Sequence, residues 1–435
     1  MFLGPLGELV EYDELRREMQ KGRGPVQAGG CLESEKAHLI AALSEESGMN
    51  CHLVVTYSDQ RAREIQEDLS YFGENVCLYP AKDMLFYAAD VQGSVTARAR
   101  LSVIRRLSDR RRPVTVVTTI DGLMDHLKPM EELVGTALTL RPGEEKELEQ
   151  LAQALVKLGY EREGQVENPG QFSIRGGIAD IWPLTEELPV RLEFFGDEVD
   201  SLRSFDAASQ RSVENLEEVT VYPASDSITA LDGTVSFLDY FPAEETDIYL
   251  DEPARLEEKA LVTEKEFRES MMNRLERGAG SWDEEQVMDL FPAEVIFAAL
   301  ERGRTLCLTT LDQPVRQLAI RRSFSFQVRG AGSYQNSFET LLADLKTYKK
   351  NGYRVILLCA SRTRASRLAG DLREYDLRAY YRDDTEDRPV APGEICVTYG
   401  SLHKGFEYPM IRFVVLTEGE LFGRVRKKKK RKSHY

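Results

Sequence analysis

Between residues 34 and 120, short apolar runs rich in β-branched residues alternate with amphipathic helical segments, and this alternation limits the fold more than any other feature of the chain. HLVVTY (52–57), VCLYP (76–80) and VTVVTTI (114–120) have strand length and strand composition, while 34–43, 58–71 and 94–107 carry apolar residues at helical spacing. Strands joined through helices run parallel, because a parallel neighbour is reached only by a long crossover. A parallel sheet is in turn buried on both faces. The pattern returns at DIYLDE (247–252), which ends a strand and leads into a charged helical stretch at 253–277, and again at TLCLTTLD from residue 305.

Between those two parts the texture changes. An amphipathic helix at 144–158 is followed by QFSIR (171–175), IADIWP (178–183), PVRLEFF (189–195) and VDSLRSF (199–205), closely spaced strands with glycines between them. Such spacing indicates an antiparallel meander. A Gly/Ser-containing stretch at 330–336 reads as a linker, after which YRVILLCA (353–360), GEICVTYG (393–400) and IRFVVLTE (411–418) form a last α/β unit. The fold class is therefore α/β. A RecA-like or P-loop-like parallel-sheet domain (1–135 and 209–325) is interrupted by a small α+β antiparallel domain (136–208). A second, smaller α/β domain (326–423) and a basic flexible linker (424–435) follow.

Formal net charge is −16, yet eight of the last twelve residues are basic (Arg424, Arg426, Lys427, Lys428, Lys429, Lys430, Arg431 and Lys432), so the rest of the chain carries −24. An acidic body repels the phosphate backbone, and protein partners become the better expectation. The basic tail reads as a flexible connection with at most weak, salt-sensitive DNA affinity, and Arg105, Arg106, Arg110, Arg111 and Arg112 as the solvated end of a helix. The six cysteines form no C-x-x-C pair and the five histidines no ligand spacing, which leaves a zinc or hydrolase reading without support. No apolar run approaches the roughly 20 residues of a membrane span, and the acidic start of the chain is unlike an export signal, so the expected location is the cytoplasm.

One segment invites a nucleotide reading and fails it. A phosphate loop needs G-x-x-x-x-G-K-[ST], with glycines that let backbone N–H groups approach the phosphates, a lysine on the β and γ oxygens, and a hydroxyl on Mg²⁺. Aligned on Lys36, the chain keeps Gly30 and the lysine, but has Glu35 at the second glycine and Ala37 at the hydroxyl. Glu35 is expected to aim a carboxylate where phosphate should lie. Asp251 and Glu252 imitate the acidic pair of a Walker B strand, and no late arginine motif of the helicase kind appears. The expectation is that the chain binds no cofactor and does not hydrolyse ATP.

The segment NPGQFSIRGGIADIWP…LPVRLEFFGDEVDSLRSFDAASQRS (168–212) closely resembles the motif shared by the UvrB and bacterial transcription-repair coupling factor (Mfd) families. SLHKGFEYPMIRFVVLTEGELFG (401–423), the degenerate phosphate loop and the short 79–101 segment, which leaves no room for UvrB's damage-clamping hairpin, favour the coupling factors. That resemblance implies UvrA as partner for the antiparallel domain, and RNA polymerase, double-stranded DNA and an ATP-driven motor for regions the chain does not contain. It also implies an intramolecular contact with the carboxy-terminal domain that masks the UvrA surface, and that the chain is a partial or truncated form. A UvrB-like ATPase and a purely autoinhibitory module are the alternatives.

The residues themselves point to an exposed face. With Gly176-Gly177 as a two-residue turn, Phe172 and Ile174 share a side with Ala179 and Ile181, leaving Ser173, Arg175 and Asp180 on the other. In PVRLEFF, Arg191, Glu193 and Phe195 alternate onto one side and Leu192 and Phe194 onto the opposite side. An exposed aromatic beside arginines is common interface chemistry, whereas an Arg191–Glu193 pair with Phe195 in the core is the bland alternative. The resemblance selects Arg175, Arg191 and Phe195 as the partner-binding residues.

Overall fold

The computed structural model describes residues 2–82, 90–109, 111–224, 231–276, 289–334, 337–383 and 388–422, with the backbone alone at 90–94 and 274–275. Arg110, residues 335–336, part of the 79–101 segment and the basic tail from Arg424 lie outside the described residues.

The chain opens with α1 (Val10–Gln20) and continues through β1 (Val26–Gly29), α2 (Glu33–Ser47), β2 (Cys51–Thr56), α3 (Asp59–Phe72), β3 (Val76–Tyr79), α4 (Asp90–Ser108) and β4 (Val114–Thr119). Local chemistry sets the boundaries. Ser58 caps α3 by accepting the Arg61 N–H, and α2 stops at Gly48, which takes the left-handed conformation. The three expected strands lie next to one another in parallel register and are almost wholly buried, as a sheet covered on both faces requires.

After α5 (Met130–Thr136) and β5 (Leu138–Leu140) come α6 (Leu148–Lys157), β6 (Glu161–Arg162), β7 (Gln171–Arg175), β8 (Ile178–Ile181), β9 (Val190–Phe195), β10 (Glu198–Phe205), β11 (Ser212–Asn215) and β12 (Val219–Val221). Their sheet runs β11-β10-β9-β8-β7-β6, antiparallel except for the β6–β7 pair. One face receives Leu151, Ala152 and Leu155 of α6 against Phe172, Ala179, Ile181, Leu192 and Leu202. The helix begins later than residue 144 because the backbone before it is already engaged. The Val199 N–H donates to Glu144 O at 2.9 Å and the Lys146 N–H to Asp197 O at 2.6 Å. The expected boundary at 208 falls between β10 and β11, which pair with each other, and β12 pairs with β5.

The chain then re-enters the first sheet with β13 (Thr246–Asp251), α7 (Pro253–Glu276), α8 (Ala293–Arg302), β14 (Arg304–Leu308) and β15 (Arg322–Ser325), completing the parallel order β15-β1-β14-β13-β2-β4-β3. The last unit holds β16 (Arg329–Gly330), α9 (Phe338–Lys350), β17 (Arg354–Cys359), α10 (Arg362–Arg373), β18 (Arg378–Arg382), β19 (Glu394–Tyr399), β20 (Phe406–Tyr408), β21 (Phe413–Leu416) and α11 (Glu418–Phe422). Val355, Leu357 and Cys359 of β17 face α9 and α10, while Ile356 and Leu358 face a core shared with Leu39, Ile40 and Leu43 of α2. One face of the last sheet is thus closed by its own helices and the other by the first unit.

The stretch from Gly330 corrects the linker reading. Gly330 pairs with Phe406, the Tyr334 N–H donates to Glu420 O at 2.9 Å, and the buried Tyr334 hydroxyl donates to Asp344 at 3.0 Å. Small residues hid an edge strand, because local composition resembles a loop when the pairing partner lies some 75 residues away. All six cysteines are buried and none is joined in a disulfide. Among the described residues no helix is long and apolar enough to cross a membrane.

Candidate docking face and a sealed phosphate loop

The register of the small sheet assembles one polar face. Ser173 lies opposite Asp180, Asp180 opposite Arg191, Arg191 opposite Arg203, and Glu193 opposite Ser201. Gly176 supports the β7–β8 turn with a φ of 60°, and Gly196, at 64°, the turn that carries Phe195 at its lip. The turn leaves Phe195 with 84% of its surface exposed, whereas Leu192 is fully buried. Phe195 therefore faces solvent and not the core. Arg175 is exposed as expected, and its guanidinium reaches Asp180 at 3.3 Å.

Arg191 does not pair with Glu193. Its Nε and Nη2 donate to the two Asp180 oxygens at 2.6 and 2.8 Å, its Nη2 also donates to Gln210 Oε1 at 2.7 Å, and its guanidinium carbon lies 4.4 Å above the Phe205 ring. Glu193 instead accepts from Ser201 Oγ and Arg203 Nη2. Asp180 is the anchor of this arrangement. Its side chain is 2% exposed, so a charge-assisted, two-pronged partner is needed to hold it there. The hydrogen bond to Asp180 in turn lifts Arg191 above the usual arginine range. Asp180 sits between buried Ala179 and Ile181, a placement that signals a partner across the sheet; nothing in the sequence singles out Gln210.

The segment read against the phosphate-loop pattern is covered by protein. β1 ends at Gly29 and α2 begins at Glu33, leaving Gly30, Cys31 and Leu32 to form the whole connection. Gly30 has a φ of 77°, and a Cβ there would lie 2.3 Å from the Phe326 carbonyl oxygen. The chain leaving β15 thus passes over the loop, and the Cys31 N–H is already given to Thr309 O at 3.0 Å. Lys36 Nζ donates to Asp251 at 2.7 Å and to Glu252 at 2.6 Å. The other Asp251 oxygen accepts from Thr56 Oγ1 at 2.8 Å and Arg61 Nε at 3.2 Å, and Glu252 also takes the Thr310 N–H at 2.8 Å. Burial opposes the charged forms of Lys36 and Asp251 but their pairing overcomes it, so Lys36 titrates above the usual lysine range and Asp251 below the usual carboxylate range. Lys36, Asp251 and Glu252 thus pair with one another.

Glu35 corrects a further expectation, since its carboxylate does not project to the phosphate position. It is fully buried, takes the Leu32 N–H at 3.0 Å and meets the Tyr408 hydroxyl at 2.8 Å. Burial pushes its pKa up to about 7, against the opposing hydrogen bonds from Tyr408 and Leu32. Tyr408 also lies 3.0 Å from His38 Nδ1, and His38 Nε2 lies 2.8 Å from the Phe2 carbonyl, the atom to which it donates. Ala37 is buried in the same core and supplies no oxygen.

Residues 138–226, which contain the polar face, match the family described as the UvrB interaction domain. Over 98% of its length the chain is similar to transcription-repair-coupling factors, with 29% identity over 486 residues to that of Bacillus subtilis (strain 168) and 26% over 490 residues to that of Staphylococcus haemolyticus (strain JCSC1435). It covers 40% and 41% of those proteins, corresponds to their amino-terminal part, and so spans about two fifths of the length of the curated relatives it matches. The chain thus resembles the amino-terminal region of a transcription-repair coupling factor, with the segment that matches the UvrB interaction domain inserted in a parallel-sheet α/β unit. A solved hypothetical ATP-dependent RNA helicase from Sulfolobus tokodaii overlaps 89% of this chain and 82% of its own at 11% identity, with a TM-score of 0.22, a likeness too slight to carry an argument.

Proposed function

We propose that this chain is a docking region that recruits UvrA without hydrolysing ATP, within a protein that couples stalled RNA polymerase to nucleotide excision repair. The observation that carries the docking half is Phe195, an almost fully exposed aromatic at the end of the strand that also carries Arg191, an arginine held on a buried aspartate. An exposed aromatic that adds nothing to the core fits a surface whose purpose is contact, and the match to the UvrB interaction domain makes UvrA the partner of choice. The non-catalytic half rests on Lys36 being consumed by Asp251 and Glu252.

Phe195→Ala and Arg191→Ala should each weaken UvrA binding by about 2 kcal/mol or more, read by calorimetry. Unchanged affinity in both variants would sink the assignment of this face. For the loop, calorimetry with Mg·ATP should give no binding to the wild type. Tight binding abolished by Lys36→Ala would favour a UvrB-like ATPase instead.

A further inference from the structure

Gln210 lies outside the strands of this face and is one of four non-glycine residues with left-handed backbone among the described residues, at a φ of 59°. A short loop holds it in that conformation. The Gln210 N–H donates to Asp206 O at 2.8 Å, the Asp206 N–H to Arg211 O at 2.9 Å, and the Ser209 N–H to the Asp206 carboxylate at 2.7 Å. The side chain is fixed as well, because its Nε2 donates to Ala207 O at 2.8 Å while its Oε1 takes Arg191 Nη2 at 2.7 Å. A residue without a Cβ would occupy this backbone with less strain, so the side chain is the reason for glutamine here.

Counting donors shows what that side chain does. Arg191 has five N–H groups. Asp180 takes one from Nε and one from Nη2, and Gln210 takes the other from Nη2. The ring of Phe205 supports the guanidinium from one face. Nη1 keeps both donors, with no acceptor among the described residues, on a side chain that retains 14% of its surface exposed. Without Gln210, Asp180 alone would hold the fork along one side and Nη2 would compete with Nη1 for an incoming acceptor.

We propose that Gln210 is a positioning residue that aims the two Nη1 donors of Arg191 at a carboxylate of the docking partner, while Phe195, four residues further along the same strand, enters an apolar socket. This rests on the docking reading above and names the chemistry it requires: an acidic group and an apolar pocket separated by about 13 Å, the length that four strand residues span. Fixing the guanidinium in advance removes rotamer freedom that binding would otherwise have to remove.

The test is Gln210→Gly, which keeps the left-handed backbone and deletes only the side chain. UvrA affinity should fall about tenfold, as for loss of one charge-assisted hydrogen bond, while the melting temperature stays within about 2 °C. In an Arg191→Ala background the same substitution should change affinity by less than about twofold, because a positioning residue has nothing left to position. Undiminished affinity in Gln210→Gly, or an equal loss in the Arg191→Ala background, overturns the proposal while leaving docking intact. Absence of UvrA binding by the wild-type chain overturns the docking reading itself, and the role of Gln210 with it.

Discussion

The proposed docking face and the β1–α2 loop region each set a basic side chain on a buried aspartate, Arg191 on Asp180 and Lys36 on Asp251. On the face, the planar guanidinium satisfies the buried carboxylate along one side and still offers donors outward. In the loop, the compact ammonium is shared between Asp251 and Glu252, with only 5% of its side chain exposed. The fork geometry of arginine leaves donors beyond those a single carboxylate takes, whereas a point charge enclosed by two carboxylates is saturated by them. Arg191 keeps 14% of its side chain exposed against 5% for Lys36, because one pair lies on an open sheet face and the other beneath the chain that leaves β15.

The contrast is broken most directly at Lys36. Lys36→Met should destabilise the chain by about 3 to 5 kcal/mol, since it leaves Asp251 without its main partner in a fully buried position. A shift in the denaturation midpoint equivalent to less than about 1 kcal/mol would mean that the pair does not hold the loop.

Next in size is a pH effect of the core beside the loop. The Glu35 carboxyl titrates near 4.5 when unfolded and near about 7 when folded, so its contribution is present below pH 4.5 and is lost as the pH rises through 7. His38, moved by burial from 6.5 to about 4, acts in the other direction, contributing above pH 6.5 and losing that contribution as the pH falls through 4. The two partly cancel in the wild type, so the informative quantity is the stability difference between wild type and Glu35→Gln. Between pH 4.5 and 7 that difference should move against the wild type by at most on the order of 3 kcal/mol. A difference flat across this range would place the titration on another group.

The smallest effect sharpens the comparison from the other side. Phe195→Ala should leave stability within about 0.5 kcal/mol of wild type, because the side chain is exposed. A loss above about 1 kcal/mol would show that Phe195 packs against the protein in solution and would weaken its role in docking.

Much of this organisation was legible without coordinates. The β2, β3 and β4 runs were found because parallel strands buried on both faces leave continuous apolar stretches, and the β7–β8 register followed from the Gly176-Gly177 turn. β15, β16 and β20 escaped, since Arg322–Ser325, Arg329–Gly330 and Phe406–Tyr408 are too short or too mixed to carry a period of their own. They exist because distant strands offer them partners. The same limit applies to Glu35, whose replacement of glycine was visible while its burial against Tyr408 joins residues 373 positions apart.

The sequence by itself determined the layered α/β class, the inserted antiparallel module, the departure of residues 30–37 from the G-x-x-x-x-G-K-[ST] pattern and the face shared by Arg191 and Phe195. All of these follow from local periodicity, turn chemistry and side-chain type, which act over a few residues. Only the tertiary structure decided that Phe195 stands in solvent, that Arg191 rests on Asp180 and Gln210 instead of Glu193, that Lys36 is tied to Asp251 and Glu252, and that the last α/β unit shares a core with α2. Each of these depends on which buried charge finds which partner and which apolar face is covered. Those choices are settled by desolvation across the assembled molecule and leave no periodic trace along the chain.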